Sequence, residues 1–412
     1  MRKGSLILIA ISVCALLQVR ATAQAADSST GTAVVSEASA TTAAPHAVMN
    51  VSELQAKLNE SREALKSSAN LVNNNTVVLS ALDRDTEKIE ILSVAKDSFL
   101  TKGAQLPVKS QTGRSLQLTI VRANGVNTAV RVIDPASGKE LTPLTVAFPI
   151  VKGGSLTEIA YYNSAHPALV TSDVAAAGET YISAMLDKAA HDLDAKGIHV
   201  PADIVDVAEH LCVVEHTDHR RFMTEDHATL LPEIVSLYAL NAGNTFRYSV
   251  STAGAGGMIQ MIPRTYGGVR QQHSSVPLQA DFVDGMRDHG NALQAMLLYM
   301  NDTWTTLAES SDVQAALRDG IASKPELLAA GYNSNPGRLP TYLKNGGSNW
   351  RTLIPAETQM YLAIYSEVDR NINFAGHEDL QGPLAAKTNP VPQAARIESL
   401  MAWMNNFFAR IL

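Results

Sequence analysis

The hydrophobic pattern of the chain changes near residue 155, and this change limits the folds open to it. Before that point apolar and polar residues alternate, as in "SLQLTIV", where Leu116, Leu118 and Ile120 share one face. Asn124-Gly125 then makes a turn before the next alternating segment. Later segments, such as "NALQAMLLYMNDTWTTLAE", carry apolar residues every three or four positions. The pattern predicts a multidomain α+β protein, with a small β sandwich or barrel over about residues 76–151 and an all-α region after it.

The N-terminus has the features of a secretory signal peptide. Two basic residues precede an apolar segment that ends in Ala23-Gln24-Ala25, which predicts cleavage after residue 25. A lipoprotein acylated at Cys14 is the alternative, although Val13 is bulkier than that motif usually accepts. Residues 26–50 are mostly small and polar, so they predict a disordered linker. We therefore expect a protein that is secreted across the inner membrane and is periplasmic or associated with the cell envelope.

The remaining chain is long enough for two domains. We predict a helix plus a small β-rich domain over residues 51–153, with a capping box at Ser52 and Gln55, and a helical domain over residues 154–412. No charged or aromatic cluster marks a site in the β-rich part, which we expect to be a spacer or to bind a cell-envelope protein. The net charge of -7 argues against nucleic acid as a partner. Cleavage would leave Cys212 as the sole cysteine, so no intrachain disulfide is expected.

Two stretches of the helical part combine unusual residues. In "SVSTAGAGGMIQMIP", the run from Gly254 to Gly257 lets the backbone approach another group closely, since glycine lacks a Cβ atom. Gln260 is embedded in the apolar residues that follow. Helix packing through small residues would explain this stretch as well as a ligand-binding loop does. The second stretch, "AAGYNSNPGRLPTYL", places Tyr332 and Asn333 before a turn.

Together the two stretches resemble the soluble lytic transglycosylase family, goose-type-lysozyme-like enzymes that cut the glycan strands of peptidoglycan. The matching segments follow the family's order and are Ser249-Val250-Ser251 with Ala253-Gly254-Ala255, Gly257-Met258-Ile259-Gln260 with Met261-Ile262-Pro263, Gly331-Tyr332-Asn333 with Pro336-Gly337-Arg338, and Glu357-Thr358 with Tyr361. The resemblance covers roughly residues 182–370 and leaves the β-rich region untouched. It implies a lysozyme-like helical domain whose glycine loop borders a sugar-binding groove. The substrate-binding residues that it implies are Ser251, Gln260, Tyr332, Asn333 and Tyr361.

The resemblance also implies a single catalytic carboxylate, Glu215, at the end of a predicted helix. The chain departs from the family in two ways. His216 stands where a serine is usual, and an inserted segment, Thr224 to Phe246, is predicted to form a helical excursion beside the groove. The insertion leaves Glu209 and Glu225 as alternative catalytic residues. Apolar neighbours are expected to raise the pKa of Glu215 towards about 6.

One carboxylate is enough if the C6 hydroxyl of N-acetylmuramic acid attacks its own anomeric carbon, because no enzymic nucleophile or water is then required. The glutamate protonates the leaving oxygen and then accepts the proton of the attacking hydroxyl. The expected reaction cleaves the MurNAc-GlcNAc bond of peptidoglycan strands, forms 1,6-anhydromuramoyl products and uses no cofactor. Two alternatives stay open: a metal-dependent hydrolase that uses Cys212, His216 and His219, and a noncatalytic peptidoglycan-binding protein.

Overall fold

The computed structural model describes residues 49–243 and 254–377. The predicted signal peptide at residues 1–25, nearly all of the predicted linker, residues 244–253 and residues 378–412 lie outside the described residues. The described part consists of a curled antiparallel β-sheet followed by helices. The α+β arrangement that the hydrophobic pattern predicted is therefore confirmed.

The first helix, α1 (Val51–Ser67), is capped by Asn50 and not by the predicted Ser52. The Asn50 side chain accepts a hydrogen bond from the backbone amide of Glu53 (2.9 Å), which completes a capping box. Two residue pairs fit the capping-box pattern here, Asn50 with Glu53 and Ser52 with Gln55, and the prediction chose the second pair. Helix α1 packs against the sheet through its buried leucines, Leu54, Leu58 and Leu65.

Within the described residues, the sheet consists of β1 (Thr76–Asp83), β2 (Lys88–Ala95), β3 (Gln105–Lys109), β4 (Ser115–Arg122), β5 (Ala129–Ile133), β6 (Glu140–Lys152) and β7 (Ser155–Asn163). A one-turn helix, α2 (Lys96–Phe99), follows β2. All pairings are antiparallel in the order β2-β1-β6-β5-β4-β3, and β7 pairs with β6. A bridge from Leu92 of β2 to Ser110, just after β3, brings the two edges of the sheet together. The sheet therefore curls into a half-barrel.

The predicted domain boundary at residues 153 and 154 falls inside the β6–β7 hairpin. Gly153 and Gly154 have φ angles of 57° and 81° and make its tight turn, a conformation that favours glycine. The following segment pairs with β6 over its length, with Val146 opposite Tyr162 near its end. The sequence prediction placed the boundary too early, because a glycine pair in a hairpin has the same composition as a short linker.

The helical region begins with α3 (Ser172–Asp194). It continues with α4 (Ala202–Val214), α5 (His219–Thr224), α6 (His227–Leu240), α7 (Pro263–Gln272), α8 (Phe282–Arg287), α9 (His289–Ala308), α10 (Ser311–Arg318), α11 (Lys324–Asn333), α12 (Leu339–Gly346) and α13 (Ala356–Asn371). Helix α4 lies between α3, α9, α11 and α13, and it carries buried apolar residues on all sides. A helix that is apolar all round needs such a central position.

Helices α3 and α6 cross at Gly178. A Cβ atom at this position would lie 1.9 Å from the carbonyl oxygen of Val235, so the two backbones approach each other only because residue 178 is glycine. Helix α6 forms part of the inserted segment Thr224 to Phe246, which was predicted to be helical, and residues 244–246 lie outside the described residues.

A chain of buried polar groups joins the sheet to the helical region. Thr145 of β6 donates its hydroxyl to Oδ1 of Asn163 (2.7 Å), and Nδ2 of Asn163 donates to the carbonyl oxygen of Leu240 (2.5 Å). Asn241 accepts from the Asn163 amide with Oδ1 (2.9 Å) and donates with Nδ2 to its carbonyl oxygen (2.8 Å). Because buried polar groups are costly when unpaired, these bonds make the two regions depend on each other.

Candidate active site

Glu215 ends the central helix α4. Its amide donates to the carbonyl oxygen of Leu211 (2.9 Å), and the amide of Thr217 then donates to Val214 (3.0 Å) in the tighter turn that closes the helix. The negative end of the helix dipole lies at this terminus, so a charged carboxylate is disfavoured there. The position therefore favours the neutral acid.

Burial reinforces this preference for the neutral form. Glu215 keeps part of its surface exposed, yet burial of its carboxyl group raises the pKa from an ordinary value of 4.5 to about 8. Oε1 accepts a hydrogen bond from the Tyr361 hydroxyl of α13 (2.7 Å), which moderates the rise, while the negative charge of Glu357 adds to it. The sequence predicted the direction of this shift but a smaller size. At neutral pH, Glu215 is consequently a protonated acid.

Two tyrosines come to this acid from different helices. Tyr361 is almost fully buried, and Tyr332 of α11 is half-buried. Burial and the charge of Glu215 raise the pKa of both phenols. Both were predicted as substrate-binding residues, and the structure brings both close enough to Glu215 for its charge to act on them. Tyr361 contacts the carboxyl group directly, so it is placed to orient the acid.

The glycine-rich stretch forms a tight turn from Gly254 to Met261. Gly256 and Met261 make an isolated bridge, and Gly257 has a φ of 75°. A Cβ atom on Gly257 would lie 2.8 Å from the carbonyl oxygen of Met286, so the bare backbone is needed to pass close to the residue at the end of α8. Close packing, the simpler of the two explanations of the stretch, accounts for this glycine.

Three successive carbonyl oxygens of the turn each accept a hydrogen bond from a side chain. Gln260 donates to Gly257 (2.9 Å), His216 donates through Nε2 to Met258 (3.1 Å), and Tyr332 donates to Ile259 (2.7 Å). Gln260 itself has a φ of 45°, a left-handed conformation that is uncommon for residues other than glycine. The turn is thus tied to the end of α4 and to α11.

His216, the departure from the family at the residue after Glu215, has a clear role in this arrangement. Burial lowers its pKa to about 4, so the imidazole is neutral over the physiological range. Its ring meets the Tyr238 ring of α6 edge-on, with 6.0 Å between centroids. His216 thereby connects the glycine turn, the end of α4 and the inserted helix.

The alternative catalytic glutamates have other surroundings. Glu209 is 1% exposed and lies 2.8 Å from His377. Glu225 follows α5 and accepts three hydrogen bonds from Arg221, which lower its pKa. An acid catalyst needs the opposite shift. Among the three candidates, Glu215 has the environment of a general acid.

The predicted substrate-binding residues other than Tyr361 differ in their surroundings. Ser251 lies outside the described residues. Gln260 and Tyr332 direct hydrogen bonds to the turn itself, so part of their polar capacity supports the backbone. The half-buried side chain of Asn333, the last residue of α11, makes no hydrogen bond to another described residue. Its amide is open to a ligand.

The residues proposed for a metal-dependent hydrolase do not converge. Cys212 is fully buried in α4, and burial raises the pKa of its thiol. His216 is bonded to Met258, and His219 is exposed at the start of α5. No group of ligand atoms from these three residues is close enough to hold an ion in the described part of the chain. Three- and four-residue spacing does not place these residues on one face, because the helix has ended at Val214.

A cavity of about 390 Å³ lies between α7, α9 and the turn that follows α11. Tyr299 of α9 lines it, and its ring meets that of Tyr332 edge-on with 5.8 Å between centroids. Arg264 and Asp302 add charged groups to the lining, while Glu215 does not line it. Tyr299 was not recognised in the sequence, because a tyrosine within "LLYM" has the pattern of an ordinary core residue.

Comparison with models of protein families, with curated proteins and with solved structures found no match to this chain. In residues 49–243 and 254–377, none of the helices has both the length and the apolar character that crossing a membrane requires.

Proposed function

We propose that the protein is a peptidoglycan lytic transglycosylase, which cleaves the MurNAc-GlcNAc bond and forms 1,6-anhydromuramoyl products. The observation that carries the proposal is the pairing of Glu215 with Tyr361 at the end of α4. A carboxyl group with a pKa near 8 holds its proton at neutral pH, as a general acid must. The resemblance to soluble lytic transglycosylases supports the substrate class and a lysozyme-like helical domain.

In the proposed reaction, Tyr361 occupies Oε1 of Glu215, so the proton on Oε2 is the one transferred. The proton goes to the glycosidic oxygen as the bond from that oxygen to the anomeric carbon of MurNAc breaks. The resulting carboxylate then takes the proton of the C6 hydroxyl, whose oxygen bonds to the same carbon. Glu215 ends the cycle protonated, and no water is consumed. The Tyr361 hydroxyl stabilises the carboxylate between the two transfers.

A hydrolase would need a second carboxylate that activates water. Asp218 caps α5 by accepting from the amide of Arg221 (2.8 Å), and Glu225 is paired with the Arg221 side chain, so neither is suited to this role. Glu357 is exposed and close enough to raise the pKa of Glu215. It is therefore the residue that a hydrolytic mechanism would use.

Two features of the helical region agree with a polymeric sugar as substrate. The open amide of Asn333 and the cavity beside Tyr299 and Tyr332 offer a polar group and aromatic edges, and sugar binding uses both. The signal-peptide pattern at residues 1–25 is consistent with an enzyme that reaches peptidoglycan in the periplasm or cell envelope. A cell-envelope protein that binds the sheet remains a prediction from the sequence.

Mass spectrometry of muropeptides released from purified sacculi tests the proposal. We expect 1,6-anhydromuramoyl ends from the wild type and none from Glu215→Gln. Reducing muramic acid ends would identify a hydrolase and would direct attention to Glu357. Binding to sacculi without any release would identify a noncatalytic peptidoglycan-binding protein.

A further inference from the structure

The segment after α13 returns to the central helix α4. Phe374 meets the His210 ring edge-on, with 5.3 Å between centroids, and His377 follows with a side chain that is 4% exposed. The backbone amide of His377 donates to Oδ1 of Asp206 (2.9 Å), and its ring Nδ1 lies 2.6 Å from Oδ1 of Asp187 on α3. His377 thus enters a pocket of carboxylates contributed by α3 and α4.

The buried atoms in this pocket are not satisfied by hydrogen bonds. Neither carboxylate oxygen of Glu209 has a hydrogen-bond partner, although the residue is only 1% exposed. Nε2 of His377 also lacks one, although it lies 2.8 Å from Oε1 of Glu209. The distance suits an ion pair, but the angles do not suit a hydrogen bond. Two ligands of one metal ion approach each other to about 3 Å in this way, since each lies about 2.1 Å from the ion.

We propose that Asp206, Glu209 and His377 form a binding site for one divalent cation of the zinc type. Their ligand atoms lie within 4.8 Å of one another, and Asp206 and Glu209 share a helical face at a spacing of three residues. An imidazole nitrogen with two carboxylates is a ligand set that Zn²⁺ accepts.

Two further features agree with a cation at this place. Asp187 holds Nδ1 of His377, as a carboxylate commonly does for a metal-binding histidine, and so directs Nε2 towards Glu209. The pocket also contains three carboxylates and one imidazole. A bound dication would offset this excess of negative charge in a buried pocket.

The cation would link the segment after α13 to the helix that carries Glu215. Glu209 and Glu215 are six residues apart on α4, or roughly 9 Å along the helix axis, so the site is separate from the proposed acid. Binding of the cation is expected to stabilise the fold, and this effect does not depend on the proposed function.

Calorimetric titration of the chelator-treated full chain with ZnCl₂ tests the proposal. We expect one Zn²⁺ per chain, a melting temperature that rises by a few degrees with saturating zinc, and at least a 100-fold loss of affinity in His377→Gln. Asp187→Asn changes a mostly exposed side chain, so it should fold normally while weakening zinc about 10- to 100-fold. His199→Gln, which removes an exposed histidine beside Asp194, is the matched control and should bind like the wild type.

Absence of stoichiometric zinc binding in the wild type would overturn the proposal. An ion pair between His377 and Glu209 would then account for their close contact. Unchanged zinc affinity in both His377→Gln and Asp187→Asn would overturn it as well, because the metal would then bind elsewhere. If His377→Gln does not fold, Asp187→Asn decides between the two outcomes.

Discussion

Helix α4 carries the same side chain at two places, Glu209 in its middle and Glu215 at its C-terminal end, in opposite surroundings. Glu209 lies among ionisable groups, with His377 and Asp206 as neighbours, whereas Glu215 lies beside the phenols of Tyr361 and Tyr332. Both positions shield the carboxyl group, but among the described residues Glu209 has the His377 imidazole 2.8 Å away, whereas Glu215 has the Tyr361 hydroxyl as its hydrogen-bond donor. At Glu215, burial raises the pKa and the donor is a neutral phenol, so the carboxyl group keeps its proton.

The largest effect that would test this comparison is on the rate of muropeptide release. Glu215→Gln preserves shape and can still accept from Tyr361, so the fold should be kept while activity falls ~10²–10⁴-fold, the usual contribution of a general acid. Glu225→Gln is the matched control, because it removes an exposed glutamate that only pairs with Arg221. Full activity of Glu215→Gln, with loss in Glu225→Gln, would reverse the assignment.

The next effect concerns stability and has a definite direction with pH. The folded pKa of Glu215 is raised from 4.5 to about 8, so the folded chain holds more protons than the unfolded chain between these values. Its stability relative to Glu215→Gln should therefore be unaffected below about pH 4.5 and should fall as the pH rises to 8, by on the order of a few kcal/mol. Denaturant unfolding of both proteins at a series of pH values measures this difference.

Glu209→Gln provides the contrast for that experiment. It removes a partner of the buried His377, so it should lower stability at neutral pH and not raise it. Equal responses of the two variants at pH 8 would mean that the surroundings of Glu209 and Glu215 do not differ electrostatically.

A smaller effect is expected from the phenol at the proposed acid. Tyr361→Phe removes the hydrogen bond to Glu215, which should reduce kcat about tenfold because the acid is less well oriented. The same bond lowers the pKa of Glu215, so its loss should move the alkaline limb of the pH–rate profile to higher pH. A fall in kcat with no movement of this limb would indicate that Tyr361 only packs beside the acid.

The smallest effect comes from Glu357, whose charge raises the pKa of Glu215 from the protein surface. Glu357→Gln should shift the alkaline limb of the pH–rate profile to lower pH by less than about one unit, since exposed charges are screened. Asp369→Asn, on the same helix, is the control and should leave the limb in place. A large loss of kcat in Glu357→Gln at every pH would instead support a hydrolytic role.

Local patterns predicted much of the fold. The alternation in β4 and the helical spacing in α4 both arise because apolar residues occupy the buried faces of these elements, and this pattern is visible in the local sequence. The position of Glu215 at a helix end was predicted for the same reason. The structure places β7 with the sheet, because its pairing with β6 is a tertiary property.

Partners that are distant in sequence could not be predicted. His377 meets Glu209 and Asp187 only after α13 has folded back along α4, and no local spacing indicates this contact. The left-handed conformation of Gln260 was also unpredictable, since its cost is offset by neighbours from elsewhere in the chain.

The three bonded carbonyl groups of the glycine turn determine how residues 254–261 respond to a ligand. Because Gln260, His216 and Tyr332 already hold successive carbonyl oxygens, this segment behaves as a rigid wall and not as a closing lid. The conformational entropy of residues 254–261 is lost when the protein folds, so ligand binding does not have to order this segment. A sugar strand arriving beside Glu215 would therefore adapt its own conformation to this wall.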